Sequence, residues 1–377
     1  HYSRMLGSRL GRLSSLPERR LSMKRPVQER RPTKSSTPVA QNSSAAGRAK
    51  FVHSLSNELA NELQQPAEKR QRELLDQAIV QIRARLTRMQ PHARVCCIGS
   101  VAARAATRHS DLDLVLVPHA TNEKALTSFR SQFTDDPKFL KTTLSKLQNS
   151  LRGGPIKNAF PLTKAKVPII KGTTISGIHF DIQLAHVEPI RSSNFVRTAF
   201  LIDQRCMLLT RWLRSQMKQR DFFGGNLGLF TSFHVYMLCL FYSQQCKLIP
   251  PLLNTFPEML RADRPWQDVA GDIELNKLPV LPSDWSPQGP IVGLVGELAL
   301  DLVHFYSRID LHNHAIDIAE NVLVPVKTNK LLLLEPYFDR TKGVCALGNG
   351  AAILTKFLKL LADDIQNERW KKLGCSV

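Results

Sequence analysis

Residues 96–118 constrain the fold more than any other part of this 377-residue chain. The segment CCIGSVAARAATRHSDLDLVLVP sets one apolar run before Gly99-Ser100 and a second around Asp111 and Asp113. Side chains on a β-strand alternate between faces, so both carboxylates share one face while leucines occupy the other. Two like charges this close on a buried strand are costly unless a cation or a partner neutralises them. The segment therefore predicts two strands, with an anionic patch on the second.

A third carboxylate lies further downstream on another predicted strand. The stretch GIHFDIQL, residues 177–184, alternates apolar side chains with a polar face that carries Asp181. If this strand neighbours the one with Asp111 and Asp113, three carboxylates converge. Hard oxygen ligands of this kind suit Mg²⁺, with Mn²⁺ as an alternative. Two such ions can activate a 3′-hydroxyl and stabilise the pyrophosphate that leaves an NTP.

Gly99 and Ser100 fit the same chemistry. Glycine lets the backbone approach a phosphate, and Ser100 would start a helix whose N–H groups and hydroxyl face the anion. Taken alone, Gly-Ser is also an ordinary turn and N-cap, and Asp-x-Asp pairs occur at many strand ends on protein surfaces. The combination of Gly-Ser, Asp-x-Asp and a later strand aspartate favours the functional interpretation.

The chain is strongly basic, with a formal net charge of +20. Residues 1–50 carry twelve basic and two acidic residues, so we expect a disordered basic tail. The remaining excess charge lies on the folded part and favours a polyanionic partner such as RNA. No segment predicts a membrane span. We expect a cytoplasmic protein, with nuclear or mitochondrial alternatives, because the Arg-rich start also fits a transit peptide.

Hydrophobic periodicity divides the chain into four parts. We expect the tail at 1–50, N-terminal helices at 51–90 that break at Pro66 and pack on the second lobe, a catalytic domain at 91–189 and a helical domain at 190–377. The elements predicted within these parts are strands at 95–98, 112–117, 166–170 and 177–184, a turn at 172–176, helices at 101–107, 123–150, 195–220, 228–246, 291–322 and 350–366, and a short strand or loop at 331–338.

Three motifs carry a resemblance to a known family. IGSVAARAATRHSDLDLVL, KVPIIK and IHFDIQL resemble the catalytic domain of DNA polymerase β-type nucleotidyltransferases, and more narrowly the noncanonical poly(A) polymerases and terminal uridylyltransferases. The resemblance covers about residues 55–370. It implies an α+β fold with two lobes: a mixed α/β catalytic domain and a mostly helical central, poly(A) polymerase-associated domain.

The resemblance also implies an activity and its main residues. The reaction would be template-independent addition of ribonucleotides from NTPs to RNA 3′ ends, with two metal ions. Asp111 and Asp113 would hold both metals, and Asp181 would hold the one that lowers the pKa of the RNA 3′-hydroxyl. Gly99 and Ser100 would bind the triphosphate.

Residues 203–242 resemble the family's central-domain stretch. Lys218 falls where the family has a triphosphate-contacting lysine, and Arg214 falls where a second lysine is usual. Ser232 would reach a phosphate, and Phe233 would replace the tyrosine that stacks on the base. Apart from the resemblance, Arg214 and Lys218 also fit a solvated basic helix face, and Phe233 also fits a core residue.

The C-terminal motif departs most from the family pattern. Residues 333–347, LLEPYFDRTKGVCAL, resemble a diverged nucleotide-recognition motif in which Pro336 replaces an aspartate. Lys342-Gly343 stand at the later pair of that motif, where uridine-selective relatives place a histidine. Asp339 remains a candidate for contact with the base edge. The departure argues against a strict uridylyltransferase and leaves the added nucleotide open between A, U and mixed tails.

Two alternatives stay open. One is a catalytically inactive RNA-binding or scaffold protein on a transferase fold, and the other is a different polymerase-β-type enzyme, such as an oligoadenylate synthetase or a CCA-adding enzyme. Retention of all three aspartates argues against the first, and KVPIIK with the Ser-Phe helix argues against the second. Because no RNP-type aromatic signature or zinc knuckle is present, we expect a protein partner to direct the enzyme to its RNA.

Overall fold

The structure, a computed structural model, describes residues 38–89, 91–119, 123–165, 167–286, 294–328, 330–334, 337 and 345–374. Backbone contacts divide the chain into two units, His1–Ser43 and Ser44–Val377. In the first unit, the described residues are 38–43, which are helical. The second unit contains two hydrophobic cores.

A five-stranded sheet forms the centre of the catalytic half. Its strands are β1 (Ala93–Ile98), β2 (Leu112–Pro118), β3 (Ile156–Leu162), β4 (Ile169–Thr174) and β5 (His179–Leu184), in the order β1-β2-β5-β4-β3. Only the β2–β5 pair in this sheet is parallel. The helices that contribute to the same core are α2 (Pro66–Met89), α4 (Glu123–Asp135) and α5 (Pro137–Leu151). A one-turn helix, α3 (Gly99–Ala102), links β1 to the loop before β2.

The second half is mainly helical. Its longer helices are α1 (Pro38–Gln64), α6 (Glu188–Ile202), α7 (Gln204–Gln219), α8 (Ser232–Gln245), α12 (Val295–Ser307) and α13 (Gly350–Gln366), and its short ones are α9 (Leu252–Thr255), α10 (Pro257–Leu260) and α11 (Trp266–Glu274). A small sheet in the order β7-β6-β8-β9 is formed by β6 (His314–Asp317), β7 (Val322–Pro325), β8 (Leu331–Leu334) and β9 (Cys345–Leu347). Single 3₁₀ turns lie at Gly225–Leu227 and Trp370–Lys372.

The two cores are not built from continuous stretches of sequence. Helix α1 packs into the helical core through Phe51, Leu55 and Leu59, as predicted for the N-terminal helices. Helix α2 instead packs in the catalytic core, so the prediction that all of 51–90 packs on the second lobe is wrong for α2. The apolar face of α2 packs in the core that contains the five-stranded sheet. The predicted break at Pro66 is confirmed, and it lets the two helices pack into different cores. The helix α11 also joins the catalytic core, through Trp266.

The prediction of a tail over residues 1–50 is wrong for its last part. Helix α1 begins at Pro38 and is continuous through residue 50. Proline suits the first turn of a helix because its missing N–H would have no partner there. Residues 1–37 lie outside the described residues. None of the described helices is long and apolar enough to cross a membrane.

Several predicted helices are shorter than expected because polar side chains cap or interrupt them. The helix predicted at 123–150 divides at Asp136, whose Oδ1 accepts hydrogen bonds from the N–H groups of Lys138 and Phe139 at 3.0 and 2.9 Å. The helix predicted at 195–220 divides at Asp203, which caps α7 in the same way. The helix predicted at 101–107 is the single turn α3, because Arg104 takes a left-handed conformation at φ +59°.

Other corrections concern strands. The turn predicted at 172–176 is partly wrong, since β4 continues to Thr174; a Cβ on Gly172 would overlap the Phe180 ring, so glycine is needed inside this strand. Strand β3 was not predicted; it lies at the sheet edge, where Pro161 is tolerated. The helix predicted at 291–322 ends at Ser307 and is followed by β6, while the helix at 350–366 is confirmed.

Candidate active site

The candidate catalytic carboxylates come together through strand register. In the parallel β2–β5 pair, Asp113 lies directly opposite Asp181, and the apolar neighbours of each aspartate point into the catalytic core. Asp111 precedes β2 by one residue and is exposed. The alternation that buries Leu112 and Leu114 on one face therefore places Asp113 on the other, as the sequence predicts.

The carboxylates on this face of the sheet repel one another. Burial, together with the nearby charges of Asp181 and Asp111, raises the pKa of Asp113 to about 7. Lys171 on β4 acts against this rise, since its Nζ lies 2.8 Å from Asp181 Oδ2. An added cation would stabilise the ionised carboxylates for the same reason.

A divalent cation fits this donor set. Two adjacent carboxylates with a third nearby are the hard oxygen ligands that such ions take, and the charges of Asp181 and Asp111 add to the effect of burial in raising the pKa of Asp113. Within the described ranges, however, no three His, Cys, Asp or Glu side chains are already arranged as a metal site. Asp181 instead turns one oxygen to Lys171, so holding a metal requires these side chains to rearrange.

Gly99 leaves room for the Asp113 carboxylate because glycine has no side chain. It adopts φ +66°, where other residues are strained, and a Cβ at this position would overlap Asp113 Oδ2. Its N–H donates to Ser193 Oγ at 2.9 Å, so this N–H is not open to a phosphate as the sequence suggested. Ser100 is half-buried in the first turn of α3. Ser193 on α6, which no sequence motif singles out, accepts this hydrogen bond and fixes the turn.

The two predicted cations lie one turn apart on α7. The Cζ atom of Arg214 lies 5.5 Å, and the Nζ atom of Lys218 lies 5.4 Å, from the centre of the Phe223 ring. Among the described residues, neither cation has a carboxylate within ion-pair distance. Burial lowers the pKa of Lys218, and the Arg214 charge adds to that effect. Two partly buried positive charges without an anionic partner are suited to binding an anion.

Both cations line a cleft of about 570 Å³ between α7, the junction of α1 and α2, and the loop before β2. Arg211, which was not predicted from the sequence, forms hydrogen bonds to the other two walls. Its guanidinium donates to the Ala106 carbonyl at 2.9 Å and to Glu62 at 3.1 Å, and lies 3.5 Å from Glu68. Its spacing from Arg214 is visible in the sequence, but its partners come from distant segments.

Helix α8 brings Ser232 and Phe233 to the same region. Both are half-buried at its first turn, and Phe233 also packs against the helical core. One turn later, Tyr236 is buried, and the charges of Arg214 and Asp113 both act on its hydroxyl. Burial raises the pKa of Tyr236, Arg214 lowers it and Asp113 raises it. Tyr236 therefore lies within electrostatic range of both Arg214 on α7 and Asp113 on β2.

The remaining predicted site residue, Asp339, lies outside the described residues, as do Pro336 and Lys342-Gly343. Tyr337 is described in this segment: its hydroxyl donates to the Leu260 carbonyl at 2.8 Å, and its ring meets Phe195 edge to face. The roles predicted for Asp111, Asp113, Asp181, Gly99, Ser100, Arg214, Lys218, Ser232, Phe233 and Asp339 stay predictions.

Known proteins similar to this chain include terminal uridylyltransferases and poly(A) RNA polymerases. Residues 52–199 match the family model described as poly(A) RNA polymerase, mitochondrial-like, central palm domain. Human terminal uridylyltransferase 7 is 27% identical over 207 residues, which make up 52% of this chain and 14% of that relative. The chain thus spans only a small part of this relative's length.

Solved structures agree on the fold. A structure of the GLD-2/RNP-8 complex superposes with a TM-score of 0.67 at 15% identity, covering 86% of this chain and 98% of that one. A structure of mtPAP in complex with UTP gives a TM-score of 0.64 at 17% identity, covering 95% and 79%. The resemblance drawn from the sequence is confirmed, and the fold is that of the two-lobed nucleotidyltransferases.

Proposed function

We propose that this protein is a template-independent RNA nucleotidyltransferase. The RNA 3′-oxygen attacks the α-phosphorus of an NTP, a new phosphodiester bond forms, and the bond to the β-phosphate breaks to release pyrophosphate. The observation that carries the proposal is the pairing of Asp113 with Asp181 across the parallel strands, together with Arg214 and Lys218 on α7, which have no described anionic partner.

The predicted residues fall into two groups, one that would hold the metal ions and one that would bind the phosphates of the NTP. Asp111, Asp113 and Asp181 would hold the divalent cation, which we propose to be Mg²⁺, with Mn²⁺ as an alternative, in a two-ion site. When bound, such ions lower the pKa of a hydroxyl and offset charge on phosphates. Arg214 and Lys218 would bind the β- and γ-phosphates. Both line an open cleft, and neither forms an ion pair with a described carboxylate.

The start of α8 would contribute the nucleotide pocket. Ser232 would donate to a phosphate oxygen, and Phe233 would stack on the base through its exposed part, since stacking needs only a ring. Ring stacking accepts any base, so this pair does not select between A and U. The similar proteins point both ways, since the matching family model is named for poly(A) polymerase and the human relative for uridylyl transfer.

Two partners follow from the chemistry. The excess positive charge of the chain favours RNA held through its phosphates. We also propose a protein partner that selects the RNA, as the GLD-2 structure is a complex with RNP-8. The cytoplasmic location expected from the sequence stays part of the proposal.

A primer-extension assay tests the activity. The wild-type protein, a labelled RNA primer and each NTP in turn, with Mg²⁺ or Mn²⁺, should give lengthened products. Asp113→Asn should abolish extension while RNA binding is retained, because the substitution removes a metal-binding charge without changing the shape of the residue. Asp263→Asn, at an exposed residue on the turn before α11, is the matched control and should stay active.

The results separate the alternatives. RNA binding without extension by the wild-type protein, with either metal and any NTP, would support the inactive scaffold instead. Extension by Asp113→Asn at the wild-type rate would contradict the metal assignment. The sequence of the products from an equal mixture of four NTPs identifies the preferred nucleotide.

A further inference from the structure

The Phe223 ring lies beneath both candidate triphosphate-binding cations. Arg214 and Lys218, four residues apart on α7, approach the ring centre to 5.5 and 5.4 Å. These distances are within the range in which a cation is attracted to the negative face of an aromatic ring. Phe223 follows the end of α7 and is half-buried against the helical core. One aromatic side chain therefore contacts both charges.

The backbone around Phe223 is held on both sides. The Phe222 N–H donates to the Met217 carbonyl at 2.8 Å, which turns the chain back against the end of α7. The Gly224 N–H donates to the Phe230 carbonyl at 2.8 Å, and the Phe230 N–H donates to the Phe222 carbonyl at 3.1 Å. These bonds close the loop that leads into α8. The backbone that carries the ring is thus held between the end of α7 and the loop before α8.

This arrangement matters because the two cations repel each other. The Arg214 charge and burial both lower the pKa of Lys218, so the pair is costly without a compensating group. The face of an aromatic ring offsets part of that cost. A guanidinium lying on a ring also keeps its N–H donors in its own plane, where they remain free for an anion. The ring therefore orients both cations without using up their hydrogen-bonding capacity.

We propose that Phe223 is a positioning residue that holds Arg214 and Lys218 in the geometry that binds the NTP triphosphate. The inference rests on the proposed function, because it assigns the ligand of these cations within that site. Phe223 acts through the two cations and does not itself touch the nucleotide. The contribution of the ring is pre-organisation, which lowers the entropy that the side chains lose when the phosphates bind.

Phe223→Leu removes the ring and keeps an apolar side chain, and Phe223→Tyr keeps the ring. Phe223→Leu should raise KM for NTP about 3- to 30-fold, the range that corresponds to the energy of such ring–cation contacts. The kcat at saturating NTP and the KM for the RNA primer should stay close to wild type, because the phosphates are bound in the ground state as well as in the transition state. Phe223→Tyr should restore the wild-type KM for NTP.

A second readout uses inorganic tripolyphosphate, which carries the charges of the NTP without its base. Phe223→Leu should weaken its inhibition by the same factor as the KM change, and should leave inhibition by a free nucleoside unchanged. If Phe223→Leu does not fold, Phe223→Met removes the ring at similar volume and carries the same test.

The outcomes separate this inference from the proposed function. An active wild-type enzyme with equal KM and equal tripolyphosphate inhibition in Phe223→Leu overturns the inference and leaves the function standing. A fall in kcat with unchanged KM for NTP also overturns it. If the wild-type protein extends no RNA, calorimetric binding of tripolyphosphate that depends on the Phe223 ring supports the anion site while the proposed function fails.

Discussion

Replacing His234 with glutamine should remove a pH dependence from the stability of α8. His234 is buried at the first turn of this helix, and its Nδ1 accepts a hydrogen bond from the Thr231 N–H at 3.0 Å. Thr231 caps the same turn in return, which completes a capping box. Only the unprotonated ring nitrogen can accept this bond. Protonation of His234 therefore breaks the cap that positions Ser232 and Phe233.

The size of the effect follows from the pKa of His234. Burial lowers this pKa from 6.5 to about 4. Above pH 6.5 the ring is neutral in both the folded and the unfolded chain, so the stability of the neutral form is fully present. As the pH falls from 6.5 through 4, the unfolded chain takes up a proton that the folded chain resists. The loss approaches about 3 kcal/mol near pH 4, since each pKa unit corresponds to about 1.4 kcal/mol.

The assay compares urea unfolding of the wild type and His234→Gln at several pH values between 4 and 7. Glutamine accepts the same N–H bond at this position of a capping box but does not titrate, so its unfolding free energy should fall less on acidification. Amide hydrogen exchange in peptides covering residues 228–246, compared at each pH, locates the difference in α8. His312→Gln, at an exposed histidine, is the control and should behave as the wild type. Equal pH dependence in the wild type and His234→Gln would refute the reasoning.

Three further substitutions test the site and its support. Gly99→Ala should abolish primer extension while RNA binding persists, because its Cβ would overlap Asp113 at a left-handed backbone position that costs about 1–2 kcal/mol. Lys171→Met should move the acid limb of the pH–rate profile to higher pH, since the lysine charge lowers the pKa of Asp113; an unchanged profile would count against the contact. Arg197→Met should lower the melting temperature by removing the buried bonds of Arg197 to residues 276–277, a loss of about 1–3 kcal/mol, and should speed proteolysis at that segment.

The carboxylates were predictable because their pattern is local. The alternation of Leu112 and Asp113 at the start of β2, with Asp111 just before it, decides which face each side chain takes, without knowledge of distant residues. The position of Asp181 opposite Asp113 could be predicted only on the assumption that β5 lies beside β2. The structure meets that condition through parallel pairing that sets Asp113 against Asp181.

The supporting residues were missed because their partners lie far away in the sequence. Lys171, Ser193 and Arg211 each act on a segment that reaches the site only through tertiary folding. On sequence alone, Arg211 belongs to the same basic helix face as Arg214 and Lys218, which is also the pattern of a solvated surface. What distinguishes them is the anionic partner: Arg211 has Glu62, while the described neighbours of the other two offer an aromatic ring.

The exchange of α2 shows why periodicity cannot assign a helix to a core. Helices α1 and α2 both carry an apolar stripe, and a stripe specifies only that some apolar surface covers it. Pro66 separates them, so each can turn its stripe independently, and α2 packs with β1 and α5 in the catalytic core. The junction therefore lies between the two cores. Arg211 on α7 donates to the Ala106 carbonyl in the catalytic half, so a movement of the halves that separates α7 from this loop must break that bond.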